Sequence, residues 1–293
     1  MSWIRDCSLN AFQSFCARVL RCGPIPNHVA FIMDGNRRYA KKKNVQKVKG
    51  HSMGFDKLAE TLQWCLELGI YEVTVYAFSI ENFKRTAEEV SSLFELMREK
   101  FNRLLEEEDK LMEQGVCIRV IGNLTLLPAD LVTLIAKAVL LTKDNSRAFL
   151  NVAISYTAQD EMCEAAKLII DGVHKNLITV EDITIELFSR CLYTSQSPDP
   201  ELLIRTSGET RLSDFLLWQV SNSYLHFTDV LWPEFTAWHL FWAVFLYQRH
   251  CDSLPKDNTS HVCENENSRI DKFIKSIEDK RLEFLKSAVS SVV

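Results

Sequence analysis

From Val29 onward, short apolar runs alternate with helical patterns, and this alternation limits the folds open to the chain. Strand-like runs fall at 29–33, 72–77, 116–121, 149–154, 202–205 and 225–230. Between them, apolar residues recur at helical spacing over 51–68, 87–113, 129–142, 158–173, 183–190 and 236–248. Parallel strands need crossover connections, and the helices in those connections cover both sheet faces. The pattern therefore predicts an α/β fold: one domain with a mainly parallel central sheet flanked by helices. With 293 residues, 47% of them hydrophobic, the chain has enough apolar surface to bury such a core. Helix-start signals agree. Thr86 with Glu89 fits a capping box, Pro128 suits a first turn, and Thr236 can cap the helix after Pro233.

The ends lie outside this alternation. Residues 1–23 read as an amphipathic helix ended by Gly23-Pro24-Ile25-Pro26. Phe12, Phe15, Cys16, Val19 and Leu20 share one face, Trp3 and Ile4 extend it, and Arg5, Arg18 and Arg21 add cations. Such a helix either packs on its own domain or lies on a bilayer surface. The main domain is expected over 24–250. Residues 251–293 read as a polar linker, to about 267, and then a helix. That helix carries a stripe of Ile270, Phe273, Ile274, Ile277, Phe284 and Leu285, for the main domain or a partner to cover. Within the domain, 87–113 is expected as one helix of roughly 40 Å at 1.5 Å per residue. Its stripe of Val90, Leu93, Phe94, Met97, Phe101, Leu104 and Leu105 suits core packing or the wall of an apolar ligand cavity.

Several functional classes are disfavoured. A net charge of −5 argues against a general nucleic-acid binder, so any anion site must come from locally placed cations. The nine cysteines include no C-x-x-C pair, which fits reduced, packed thiols rather than disulfides or zinc. No run of about 18 apolar residues occurs, and the N-terminus lacks a signal-peptide pattern. The chain is expected in the cytosol or on a membrane surface. G-x-G-x-x-G, G-x-x-x-x-G-K-[ST] and G-x-S-x-G are all absent.

Three clusters carry chemistry. In "FIMDGNRRYAKK", Asp34 closes an apolar strand, where open α/β sheets bind ligands. Gly35 allows a tight turn. Asn36 begins a helix whose free N–H groups favour an anion. Arg37 and Arg38 add bidentate donors for phosphate. A carboxylate beside phosphate needs a cation between them, and Mg²⁺ commonly takes one or two carboxylates together with substrate phosphates. A capping Asp beside a solvated basic turn is the plain alternative. In "LLIRTSGETRLSDFLLWQ", Arg205, Arg211 and Ser213 again follow a strand end. In "YAFSIENFKR", Ser79 and Asn82 sit between Phe78 and Phe83, and Arg85 follows. Two arginine clusters in one α/β domain point to two phosphorylated ligands.

Together these clusters resemble the cis-prenyltransferase family, which includes undecaprenyl diphosphate synthase. The likeness runs from about Pro24 to Tyr247. It rests on "HVAFIMDGNRRYA" with Gly50-His51, "YAFSIENFKR", "RTSGE-x-R-x-S-x-FLLWQ" and "FTDVLWPEF", and its eukaryotic catalytic-subunit branch is the nearest. The resemblance implies condensation of isopentenyl diphosphate onto farnesyl diphosphate. The product would be dehydrodolichyl (polyprenyl) diphosphate, for dolichol synthesis and protein glycosylation. It implies Mg²⁺ at Asp34. Gly35, Asn36, Arg37, Arg38 and Arg85 would hold the allylic diphosphate, with His51 nearby. Arg205, Arg211 and Ser213 would hold isopentenyl diphosphate. The growing chain would enter an apolar tunnel between the sheet and the long helix. Ser79, Asn82 or a diphosphate oxygen would assist the proton loss.

The chain also departs from the family pattern. Lys47 replaces an arginine before Gly50-His51, Gln159 replaces a common arginine, and Tyr224 replaces a glutamate that helps bind metal in bacterial homodimers. The C-terminal R-x-G motif is missing after Tyr247. In the eukaryotic branch a Nogo-B-receptor-like second subunit supplies it. The expected protein is therefore one subunit of a heteromer, peripheral on the cytosolic face of the endoplasmic reticulum membrane. A non-catalytic prenyl-binding or scaffold subunit is the alternative, and a self-contained short-chain synthase is a third reading.

Overall fold

The computed structural model describes residues 9–253 and 268–290. Trp3, Ile4, Arg5 and most of the expected linker lie outside the described residues. The sheet has six strands: β1 (His28–Ile32), β2 (Glu72–Ser79), β3 (Val116–Ile121), β4 (Ala148–Tyr156), β5 (Leu202–Arg205) and β6 (Tyr224–Phe227). They lie in the order β3-β4-β2-β1-β5-β6, and every pairing is parallel. Strand β1 sits inside the sheet and is buried along its length. Its alternation sends Val29 and Phe31 to one core and Ala30 and Ile32 to the other, so both sheet faces are covered.

The helices are α1 (Ala11–Leu20), α2 (Asn36–Lys42), α3 (Lys47–Leu68), α4 (Ala87–Glu106), α5 (Glu108–Gln114), α6 (Ala129–Thr142), α7 (Ala158–His174), α8 (Ile185–Cys191), α9 (Ala237–His250) and α10 (Ser268–Ser290). The single helix expected over 87–113 is divided. Glu107 leaves helical geometry at φ −100°, ψ 28°, and α5 starts behind it. On a continuous helix Glu106 and Asp109, three apart, would face each other as like charges, whereas Glu108 and Asp109 favour the first turn of a new one. The capping box at Thr86 is half formed. The Thr86 hydroxyl accepts the Glu89 amide at 3.3 Å, but the Glu89 carboxylate turns elsewhere.

The terminal helices answer two open questions. On α1, Ala17 is buried and Cys16 and Leu20 pack on the main core, while Phe12, Phe15 and Val19 remain exposed. Gln248 of α9 donates to the Leu20 carbonyl at 2.7 Å, and Phe12 meets Trp238 of α9 at 5.7 Å. The helix is thus docked by one edge, and three of its five apolar residues face outward. The N-terminal half of the α10 stripe goes to the main domain, while Phe284 stays exposed. Phe273, Ile274 and Ile277 are buried, each burial worth about 1.5–3 kcal/mol. Arg281 donates to the Cys191 and Leu192 carbonyls at 2.8 and 3.0 Å, and Arg190 pairs with Asp271 at 2.8 Å.

Candidate active site

Strand order places the site. The chain runs from β1 to β2 on one side and returns at β5 on the other. A crevice therefore opens beyond the carboxyl ends of β1 and β5, the switch point where such sheets bind ligands. Asp34 follows β1 and Arg205 ends β5. Gly35 has φ 104°, and a Cβ there would lie 2.9 Å from Leu231 and 3.1 Å from Ser207. Only glycine makes this turn without strain, and the turn delivers Asp34 to the crevice as α2 begins at Asn36.

Asp34 is held from three sides. One carboxylate oxygen accepts the Gly35 amide at 2.7 Å, and the other accepts Arg205 Nη2 at 2.9 Å. The Thr206 hydroxyl donates to the Asp34 carbonyl at 2.8 Å and accepts its amide at 3.0 Å. Burial alone would raise the Asp34 carboxyl. The Arg205 guanidinium and the Gly35 amide outweigh it and hold the group below the usual carboxylate range. Arg205 is 2% exposed, and its Nη1 donates to Ser213 Oγ at 2.7 Å and to the Arg211 carbonyl. Asp34, Arg205 and Ser213 thus form one connected unit.

A second cationic arm lies across the crevice. Arg85, Lys47 and Arg37 converge on the Glu89 carboxylate at 3.0, 3.3 and 3.7 Å. His51 sits beneath them. Burial first, then the Arg85 charge, lowers its pKa to about 4, so it is neutral near pH 7. Arg38 turns the other way and donates to the Ser207 carbonyl at 2.6 Å, while Arg211 pairs with Glu209. Ser79 and Asn82 lock each other. The Ser79 amide donates to Asn82 Oδ1 at 3.1 Å, and the Ser79 hydroxyl accepts the Glu81 amide at 3.1 Å.

The crevice opens into a cavity of about 860 Å³. Its mouth holds Asp34, Asn36, Arg37, Arg38, His51, Ser79, Asn82, Arg85, Arg205, Arg211 and Ser213, so the three sequence clusters meet in one place. The rest of its lining is largely apolar, with Val75, Phe78, Val152 and Ile154 from the sheet and Leu58, Leu93, Met97 and Phe101 from α3 and α4, beside the buried Lys100 of α4. The stripe on α4 therefore does both jobs. Leu93, Met97 and Phe101 wall the cavity, while Phe94 packs on Phe78 at 5.4 Å.

Among the described residues, Asn36 Oδ1, His51 Nε2 and Arg205 Nε are buried without a hydrogen-bond partner. Buried polar atoms are rarely left so, and three around one crevice suit a polar ligand. Among the described residues no group of three or more His, Cys, Asp or Glu side chains could enclose a metal. A cation at Asp34 would therefore draw its other ligands from phosphate oxygens and water. That donor set fits Mg²⁺, which binds through one or two carboxylates plus substrate phosphates.

Glu89 and Thr206 are site residues that sequence reasoning missed. The four-residue spacing of Arg85 and Glu89 was the available signal for the first. The departures lie at different places. Lys47 joins the Glu89 cluster, Gln159 begins α7 with its amide on Asp214 Oδ1 at 3.1 Å, and Tyr224 stacks on His250 at 5.1 Å.

A parallel α/β sheet whose switch point gathers two cationic arms over an apolar cavity defines an enzyme that handles diphosphates carrying long apolar groups. The chain belongs to the prenyltransferase family described as undecaprenyl diphosphate synthase, whose model matches residues 32–253. It is 53% identical over 272 residues to the dehydrodolichyl diphosphate synthase complex subunit of Homo sapiens, covering 93% of this chain and 82% of that protein. It is 38% identical to a dehydrodolichyl diphosphate synthase complex subunit of Schizosaccharomyces pombe, covering 82% of this chain and 92% of that one. Among solved structures it is similar to lavandulyl diphosphate synthase from Lavandula x intermedia in complex with dimethylallyl diphosphate. That match has a TM-score of 0.72 and 32% identity, over 76% of this chain and 95% of the other.

Proposed function

We propose that this protein is the catalytic subunit of a long-chain cis-prenyltransferase. It adds isopentenyl diphosphate to farnesyl diphosphate and makes dehydrodolichyl diphosphate for dolichol synthesis and protein glycosylation. The observation that carries this reading is the pair of cationic arms, one around Arg85 and one around Arg205, facing each other over a deep apolar cavity.

In this reading Arg85, Arg37 and Arg38, with Gly35, Asn36 and His51, hold the allylic diphosphate. Arg205, Arg211 and Ser213 hold isopentenyl diphosphate. Asp34 would hold Mg²⁺, which would supply electrophilic stabilisation of the departing diphosphate. The arginines stabilise the same growing charge through preorganised hydrogen bonds. Fixing both substrates head to tail removes much of the entropic barrier. His51, whose buried Nε2 has no partner among the described residues, is free to meet the diphosphate. A diphosphate oxygen accepts the proton lost from the new unit, with Ser79 and Asn82 locked beside it at the cavity mouth. Each added isoprene unit moves into the apolar cavity, and each buried CH₂ is worth about 0.8 kcal/mol.

The catalytic unit in this reading spans 24–250, flanked by the 1–23 helix and the 251–293 segment. The names of the relatives as complex subunits support a Nogo-B-receptor-like second subunit that supplies the R-x-G motif. Outward-facing Phe12, Phe15 and Val19 support peripheral contact with the cytosolic face of the endoplasmic reticulum membrane. No described helix is long and apolar enough to cross a membrane.

The test is polyprenyl synthesis from labelled isopentenyl diphosphate, farnesyl diphosphate and Mg²⁺, with and without the partner. Long-chain product is expected only from the complex. Full activity of the chain alone would remove the partner requirement. In the complex, Asp34→Ala should abolish turnover. A scaffold subunit would instead tolerate that change and still support its partner.

A further inference from the structure

The turn after β5 is held in an unusual backbone conformation. Ser213, Asp214 and Leu216 have φ of 51°, 58° and 48°, all in the left-handed region that disfavours residues with a Cβ. A turn of this kind persists only if its surroundings hold it. Asp214 is held from α7, whose Ala158 amide donates to the Asp214 carbonyl at 2.8 Å. Ser213 is held from the opposite side by Tyr76. The Tyr76 hydroxyl lies 3.3 Å from the Ser213 carbonyl and 3.1 Å from the Tyr156 carbonyl, so one proton is shared between two acceptors. Its ring stacks on Phe215 at 4.5 Å and 14°, and meets Tyr156 edge-on at 6.1 Å. Tyr76 pairs with Ala153 just before the β2–β4 register shifts, packs on the core opposite Val75, and lines the crevice.

The consequence runs into the crevice. Ser213 Oγ accepts Arg205 Nη1 at 2.7 Å, and Arg205 Nη2 reaches Asp34 at 2.9 Å. Moving the turn would move the hydroxyl that aims this guanidinium. Burial raises the Tyr76 phenol to about 12, so it remains a donor throughout the working pH range.

We propose that Tyr76 is a positioning residue for the isopentenyl diphosphate site: its hydroxyl clamps the left-handed turn so that Ser213 and Arg205 are presented together. The proposal rests on the assignment of Arg205, Arg211 and Ser213 to that substrate. The hydroxyl acts on the turn, and the ring supplies packing, so the two contributions separate in Tyr76→Phe.

The experiment uses the full chain with its partner subunit and compares Tyr76→Phe, Ser213→Ala and the double variant. The expected result for Tyr76→Phe is a KM for isopentenyl diphosphate raised roughly fivefold to tenfold, the loss of one net hydrogen bond. The KM for farnesyl diphosphate and the melting temperature should stay near wild type. The double variant should be no worse than Ser213→Ala, because Tyr76 acts through that residue. An unchanged KM for isopentenyl diphosphate in Tyr76→Phe, with a raised one in Ser213→Ala, overturns the role of Tyr76 alone. Equal rises in both KM values, or a large fall in melting temperature, overturn it as well and make Tyr76 a packing residue. If Ser213→Ala also leaves that KM unchanged, the assignment of this arm to isopentenyl diphosphate fails, and the proposal with it.

Discussion

Arg205 and Asp34 meet at 2.9 Å across two neighbouring parallel strands, although 171 positions separate them in the chain. The contact joins the arm proposed to hold isopentenyl diphosphate to the carboxylate proposed to hold the metal. Arg205 is buried, and it serves Asp34, Ser213 and the Arg211 carbonyl with one planar fork. Arg205→Lys keeps the charge but cannot reproduce that geometry. Turnover should fall by roughly 10² to 10³, the range seen when one preorganised donor is lost. Steady-state rates of the complex, together with a melting curve showing a folded protein, check this.

Glu89 gathers Arg85, Lys47 and Arg37 and is itself mostly buried. Its carboxyl lies below the usual range: burial would raise it, but the Lys47 hydrogen bond and the Arg85 charge prevail. In Glu89→Gln, three cations repel one another with no anion between them. The ligand-free protein should lose roughly 1–3 kcal/mol. Inorganic pyrophosphate should restore more stability to the variant than to wild type, because it replaces the missing charge. Thermal melts with and without pyrophosphate measure the difference. Equal restoration would show that this arm does not bind the anion.

Met97 lines the apolar cavity from α4, one turn from Leu93 and Phe101. A larger side chain there shortens the space available to a growing chain. Met97→Trp should shift products toward fewer isoprene units, with initial condensation rates near wild type. Overpacking costs about 1–3 kcal/mol, so folding should survive. Chromatography of dephosphorylated products gives the length distribution, and an unchanged distribution would place the product elsewhere.

His51 is neutral in the folded state down to about pH 4, whereas an exposed histidine protonates near 6.5. Between these values the unfolded chain binds the extra proton. Stability linked to His51 is therefore intact above pH 6.5 and is lost as pH falls toward about 4. The slope is at most about 1.4 kcal/mol per pH unit. His51→Gln should flatten the stability profile over that window by about one proton. Urea melts from pH 7 to pH 4 test the sign and the size.

Much of the fold was legible because its signals are local. All six strands form within a few residues of their apolar runs. Gly35 and Asn36 could be read as a turn into a helix, because backbone freedom and free N–H groups belong to the residues themselves. The stripe of α4 announced a buried face but could not say whether side chains or a ligand would fill it. The capping box at Thr86 was half misread, since Glu89 found three cations more favourable than a backbone amide. The continuous helix over 87–113 was overestimated, because periodicity does not register the repulsion between Glu106 and Asp109.

What the sequence determined by itself, then, is the set of parts: a parallel α/β sheet, arginines and a carboxylate after strand ends, and amphipathic helices at both termini. Tertiary structure alone decided their company. Strand order put Asp34 beside Arg205 and made one crevice of three clusters. Packing sent Phe273, Ile274 and Ile277 of α10 to their own domain and left Phe284 of α10 and Phe12, Phe15 and Val19 of α1 outside. The turn that carries Ser213 came to rest against Tyr76, from a strand far away in the chain. These outcomes depend on contacts between residues far apart in the chain, whose energies appear only once the sheet has chosen its order.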